Sequence, residues 1–314
     1  MILAGLIAAR FTHYTALTLL FGAATFLIFA APKRQGAESG SDVSDRLRPL
    51  LVWSSAGTVA TGTLVLSFTA ANMAGALGGM TDAATLQTIL VDTDFGRVWA
   101  FRLAAALALV AWLFFGRAPR WADWVVLLLA GAVLATVALT GHAQIRTGLA
   151  GLAHRAADAG HVVAAAVWLG ALPPFLFFLH ASRTRSGEDA ARAARLLHRF
   201  HAVGLTAVAA LLATGLVNSW FLVGSLDALV STTYGRLLLV KIGLFAAMVA
   251  LAADNRLRLV PQLRLALAQG LPPERWLARL RTHVRWEFRL GLGVLAAVSA
   301  LGALAPAIDA AGGS

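Results

Sequence analysis

Two histidines in this chain carry matching neighbours. His13 is followed nine residues later by Gly22, and His161 is followed nine residues later by Gly170. Asp158 stands three residues before His161, so a helix would put the carboxylate and the imidazole on one face at the mouth of the apolar run "HVVAAAVWLGAL". Arg10 holds the corresponding position before His13, and a third imidazole, His142, lies in "TGHAQ" at the end of another apolar stretch. Imidazole nitrogens are common metal ligands, and a carboxylate behind the ring selects the tautomer that can bind. Metal coordination by His13, His142 and His161 is therefore the first chemistry to consider. Asp158 would be the orienting carboxylate or a helix cap, with Asn218 as a further polar neighbour.

Cations stand near these rings. "FGRVWAFR" at 95–102 is echoed by "YGRLLLVK" at 234–241, so Arg97 is followed by Arg102 and Arg236 by Lys241 at the same spacing. At helical rise Lys241 lies roughly 7–8 Å deeper than Arg236. Positive groups beneath the histidines repel a metal cation and favour something anionic. A haem b reading stays open on that ground: paired histidines on separate helices ligate haem, and Arg or Lys neutralises its propionates. A scaffold in which the polar residues only join helices is a third possibility. His154, His180, His198 and His283, and likewise Arg97, Arg236 and the tryptophans, read as interfacial residues, while Gly22 and Gly170 read as close-packing positions.

Such residues need elements to hold them, and the composition names the solvent. Of 314 residues 59% are hydrophobic and 13% charged, far more apolar surface than one globular core can use. Eight stretches approach the roughly 20 apolar residues that a helical span requires. They cover 11–31, 50–71, 97–116, 121–141, 157–180, 201–223, 235–254 and 286–305, and none shows the period-two alternation of a membrane strand. The expected fold is all-α, a polytopic bundle of eight transmembrane helices in the lipid bilayer.

The connections after odd-numbered spans carry most of the Lys and Arg, for example Lys33, Arg34, Arg46 and Arg48 after the first and Arg183, Arg185, Arg192, Arg195 and Arg199 after the fifth. By the positive-inside rule both termini are then periplasmic. Because Lys33 and Arg34 follow the first apolar run, a cleaved signal peptide is not expected. The net charge of +11 thus reports topology, and no nucleic-acid partner is expected. The stretch 258–285 is expected along the inner membrane surface.

"ATGTLVLSF" at 60–68 recurs as "ATGLVNSWF" at 213–221, which with the matched histidine and aromatic-Gly-Arg elements predicts a 4+4 parallel repeat. Residues 1–145 and 146–314 would be its two halves within one integral unit, with sites tending to form between them. That predicts His13 facing His161 across the duplication axis, His142 closing one side, short outer loops and a crevice open to the periplasm. No cysteine is present, and no phosphate loop, His-Glu-x-x-His zinc signature or Gly-x-Ser-x-Gly elbow is found. No nucleotide is expected, and a transporter or metal-binding membrane protein fits better than an enzyme.

"ADAGHVVAAAVWLGAL", "RFHAVGLTAVAALLATGLVNSW" and "TTYGRLLLVKIGLFAAMVALAADNRLRLVP", with "ARFTHY", "DFGRVWAFRLA" and "GHA" in the first half, resemble the copper-resistance D (CopD) family of bacterial inner-membrane proteins. The resemblance implies copper handling in the cytoplasmic membrane, with a copper ion received from a periplasmic partner of the CopC type and moved inward. It implies His13, His142 and His161 as the copper contacts.

Overall fold

The computed structural model describes residues 1–30, 41–115, 121–140, 148–181 and 187–311, which form helices and short turns with no strand among them. Helix α1 (Ile2–Thr25) ends in a π-helical turn, Phe26–Ala30. Then come α2 (Ser41–Ala74), a 3-10 turn Leu77–Met80, α3 (Ala83–Asp92), α4 (Asp94–Phe115), α5 (Ala122–Ala135) and a 3-10 turn Thr136–Leu139. The later chain forms α6 (Gly148–Ala181), α7 (Gly187–Val223), α8 (Leu226–Ser231), α9 (Thr233–Asp254), a π-helical turn Asn255–Leu259, α10 (Val260–Ala268), α11 (Glu274–Leu301) and α12 (Ala307–Ala311).

Among the described residues seven helices are long and apolar enough to cross a membrane: Ile2–Phe29, Asp45–Ala74, Asp94–Phe115, Ala122–Leu139, Gly148–His180, Ala202–Val223 and Thr233–Ala268. Each overlaps one of the first seven sequence-predicted spans, but the first begins at Ile2 and not at 11, the fifth at Gly148 and not at 157, and the seventh runs to Ala268 and not to 254. The eighth, 286–305, falls on α11 and is not among them: Arg285, Glu287 and Arg289 crowd its beginning, and the helix stops at Leu301. The segment expected along the inner surface is also divided. Its first part prolongs α9 through the π-helical turn to Ala268, and α11 begins only at Glu274.

Helix α1 is the centre of the bundle, packed against α2, α5, α6 and α11. Leu17, Leu20, Ala23 and Ala24 of α1 are buried with Leu109 of α4, Val133 of α5 and Ala166 of α6. A second core gathers Trp168, Leu172 and Phe175 of α6 with Leu211 of α7, Met248 of α9 and Val284 of α11. Helices α7 and α9 leave Leu212, Leu216, Val240 and Ile242 exposed. That surface would be penalised in water and matches a hydrocarbon solvent, where helix association depends on close packing instead of water exclusion.

The two matched glycines bring α1 and α6 into backbone contact. A Cβ on Gly22 would lie 2.2 Å from the carbonyl carbon of Gly170, and one on Gly170 would lie 1.9 Å from Thr18 O. Backbone meets backbone there, so α1 and α6 tolerate no side chain at their crossing. Both glycines are packing positions, as their type suggested.

The aromatic-Gly-Arg entries are helix starts built alike. The Thr93 hydroxyl accepts from Gly96 N at 2.9 Å, and the Thr232 hydroxyl accepts from Gly235 N at 3.0 Å. A Cβ on Gly96 would meet Ile89 O at 1.9 Å and one on Gly235 would meet Leu229 O at 2.2 Å. Only glycine lets α4 and α9 start so close to α3 and α8. The connection 72–95 is accordingly a folded corner, not a short open loop. Asp82 caps α3 by accepting from Thr85 N at 2.9 Å, as Ser225 caps α8 by accepting from Ala228 N at 3.1 Å.

Candidate functional site

His13 is fully buried on α1, where its ring lies over Gly62 of α2, whose added Cβ would come within 3.2 Å of His13 Cε1. Its Nδ1 is 3.1 Å from the hydroxyl of Thr61. The Thr61 hydroxyl donates its only proton to Gly57 O at 2.6 Å, so toward His13 it can only accept. The proton on the ring is thereby fixed at Nδ1. Nε2 is left with its lone pair and has no hydrogen-bond partner among the described residues.

His161 has the same surroundings in the second half. Its Nδ1 lies 3.0 Å from the hydroxyl of Thr214, which donates to Ala210 O at 2.6 Å. A Cβ on Gly215 would sit 3.6 Å from His161 Cε1. This ring too is an Nδ1–H tautomer with Nε2 available, though it is only half-buried. Thr61-Gly62 and Thr214-Gly215 are the "ATG" of the repeated segment. Sequence reasoning registered the repeat but missed the role; a Thr-Gly pair recurring in step with a recurring His was the available signal.

The cations differ between the halves. Arg102 is 1% exposed; Nε donates to Thr136 Oγ1 at 2.7 Å, and Nη2 donates to Thr136 O at 2.8 Å and Thr140 Oγ1 at 3.1 Å. Its guanidinium carbon stands 4.2 Å from the ring centre of Trp99, which is 5.3 Å from the His13 ring. Lys241 is half-buried and interacts electrostatically with both His161 and Asp158. Arg236 is exposed. Its counterpart Arg97 is an exposed surface pair with Asp94 at 2.6 Å.

Asp158, expected behind His161, accepts from Asn218 Nδ2 at 3.3 Å. The group on His161 Nδ1 is Thr214, so a hydroxyl holds the tautomer that a carboxylate was expected to hold. His142 lies outside the described residues. Among the described residues no three His, Asp or Glu side chains gather as a metal-binding group.

A cavity of about 210 Å³ opens beside His13, lined by Arg10, Tyr14, Val65, Phe95, Trp99, Arg102, Thr140 and Gly302 as well. His161 is not among its lining residues. The hydroxyl that meets each imidazole comes from the same part of the chain as the ring, Thr61 for His13 and Thr214 for His161. A separate polar group, which sequence reasoning did not single out, buries Glu287 of α11: it accepts from Asn255 Nδ2 at 2.7 Å, and Asn255 Oδ1 accepts from His283 Nδ1 at 2.9 Å.

The comparisons with known proteins bear on the whole chain. Residues 1–152 match the N-terminal domain of copper resistance protein D-like proteins, and residues 194–301 match copper resistance protein D. Copper resistance protein D of Pseudomonas syringae pv. tomato is 33% identical over 97% of this chain and 97% of its own length. The chain belongs to the copper resistance protein D family. Inner membrane protein YebZ of Escherichia coli (strain K12) is 31% identical over 96% of this chain and 98% of its own length. Copper transport protein CutJ of Bacillus subtilis (strain 168) is 29% identical over 86% of this chain and 49% of its own. With seven helices among the described residues long and apolar enough to cross a membrane, and with these relatives, this family member is a multi-pass inner-membrane protein.

Proposed function

We propose that this protein handles copper, binding the ion through Nε2 of His13 and of His161 at the periplasmic side and mediating its passage inward. The observation that carries the reading is the state of the two rings. In each, a threonine that has given its proton to a backbone carbonyl accepts from Nδ1, leaving a neutral imidazole with Nε2 as electron-pair donor. Neutral imidazole suits copper, and a ring fixed from behind binds better than a free one. Two relatives are named for copper resistance and copper transport, which makes copper the ion of choice.

The reading includes an eighth span formed by the later part of α11, which keeps both termini periplasmic, and a duplication of the four-helix unit. The matched Thr–His contacts, the matched Thr–Gly helix starts and the Gly22–Gly170 crossing support that duplication. His142 would add a third imidazole on the same side, and a periplasmic copper carrier of the CopC type would deliver the ion. The haem alternative has no such support, since the relatives' names speak of copper alone.

Metal analysis and an absorption spectrum of detergent-purified protein test the reading. Wild type should be free of a Soret band and retain copper. His13→Ala and His161→Ala should each lower the bound copper and the copper-dependent phenotype. Unchanged copper content in both variants would overturn the assignment.

A further inference from the structure

The two halves compensate their inner cation differently. In the second half, Asp158 interacts electrostatically with Lys241. In the first half, the residue three before the histidine is Arg10, so a second cation stands in the register of the carboxylate. Arg102 is 1% exposed and permanently charged, and its described hydrogen-bond partners are the neutral oxygens of Thr136 and Thr140. No carboxylate lines the cavity that Arg10 and Arg102 share, and neither arginine forms an ion pair among the described residues. The sequence "GHAQIRT" at 141–147, which follows Thr140, contains no Asp or Glu.

A buried charge without a counter-charge is costly, and proteins pair such charges. One further donor belongs to the same cavity lining. Trp99 is 2% exposed and its indole N–H has no partner among the described residues. Arg10 Nη1 donates to Gly302 O at 2.6 Å, which steadies the side chain and leaves the rest of its guanidinium edge for another acceptor.

We propose that this cavity is a binding site for a small carboxylate anion, held between Arg10 and Arg102 in the role that Asp158 plays in the other half. Its volume of about 210 Å³ admits a molecule of a few heavy atoms. The planar guanidinium edge matches a carboxylate, and the Trp99 N–H supplies a further donor. The site adjoins His13 and goes beyond the copper reading, because it requires no metal: the charge to be neutralised belongs to the protein.

The test uses copper-free, detergent-purified protein in a buffer whose only anion is bulky. Acetate should raise the melting temperature saturably, by about 5 °C at a hundredfold excess over Kd. Chloride at equal ionic strength should give a distinctly smaller rise. Arg10→Gln should weaken acetate binding about tenfold. Arg10→Asp, which installs the residue of the second half, should abolish the acetate response. Isothermal titration calorimetry of acetate supplies the same ranking where melting is broad. No saturable acetate response, an equal response to chloride, or an undiminished response in Arg10→Asp and Arg10→Gln would each overturn the proposal. Copper plays no part in the measurement, so this site and the histidine reading fail separately.

Discussion

Replacing Thr61 by valine is the sharpest probe of how the site is built, because it changes one oxygen into a methyl group and leaves the shape intact. His13 is fully buried, and its Nδ1 proton has the Thr61 hydroxyl at 3.1 Å as acceptor. Thr61→Val removes one of two acceptors near that N–H, the other being the Thr58 backbone, at a cost of about 0.5–1.5 kcal/mol. It also weakens the hold on the Nδ1 proton, and a proton moved to Nε2 would block the atom proposed to bind copper. Loss of such an orienting partner lowers metal affinity about 10- to 100-fold. The assay is a copper competition titration against a chelator of known affinity, paired with a melting curve in detergent. Thr214→Val should act in the same direction but less strongly, since His161 is only half-buried. Thr61→Ser, which keeps the hydroxyl, should restore wild-type affinity. Copper affinity unchanged in Thr61→Val while the melting temperature falls would refute the tautomer argument.

The crossing of α1 and α6 should be intolerant of any side chain: Gly170→Ala would push Cβ to 1.9 Å from Thr18 O, and a loss of about 3 kcal/mol or more is expected in a detergent melting or denaturation series. The carboxyl of Asp82, outside the spans, is held below the usual carboxylate range by hydrogen bonds from the Thr85 hydroxyl and the Thr85 amide. A depressed carboxyl stabilises above its ordinary range and loses that contribution as pH falls through its folded value, so amide exchange at the start of α3 should quicken on acidification and Asp82→Asn should remove the change.

The spans were legible because bilayer thickness sets a length and a composition that neighbouring residues cannot disguise. Segment 286–305 is the weakest of them by composition, because Glu287 and Arg289 stand at its beginning, and Glu287 is buried against Asn255, a partner that no linear window contains. The continuation of α9 to Ala268 was hidden for a related reason, since Arg256 and Arg258 read as the end of a span although the backbone runs on through a π-helical turn. In the site, His13 and His161 were visible from their matched spacing. Their directions were not: which way a ring turns depends on Thr61 and Thr214, 48 and 53 residues away in sequence. Asp158 looked like the orienting group because it is near in sequence. A more distant hydroxyl occupies that position in space.

The contact of Gly22 with Gly170 makes the middle of the bundle a fulcrum. With main chain seated on main chain, α1 and α6 cannot slide along one another without collision, but they can swivel about that point. Each histidine sits nine residues away, a lever arm of about 13 Å at helical rise, so a swing of some 10° would carry each imidazole by roughly 2 Å. That is enough to make or break a coordination bond, and the fulcrum would send the opposite helix ends the other way.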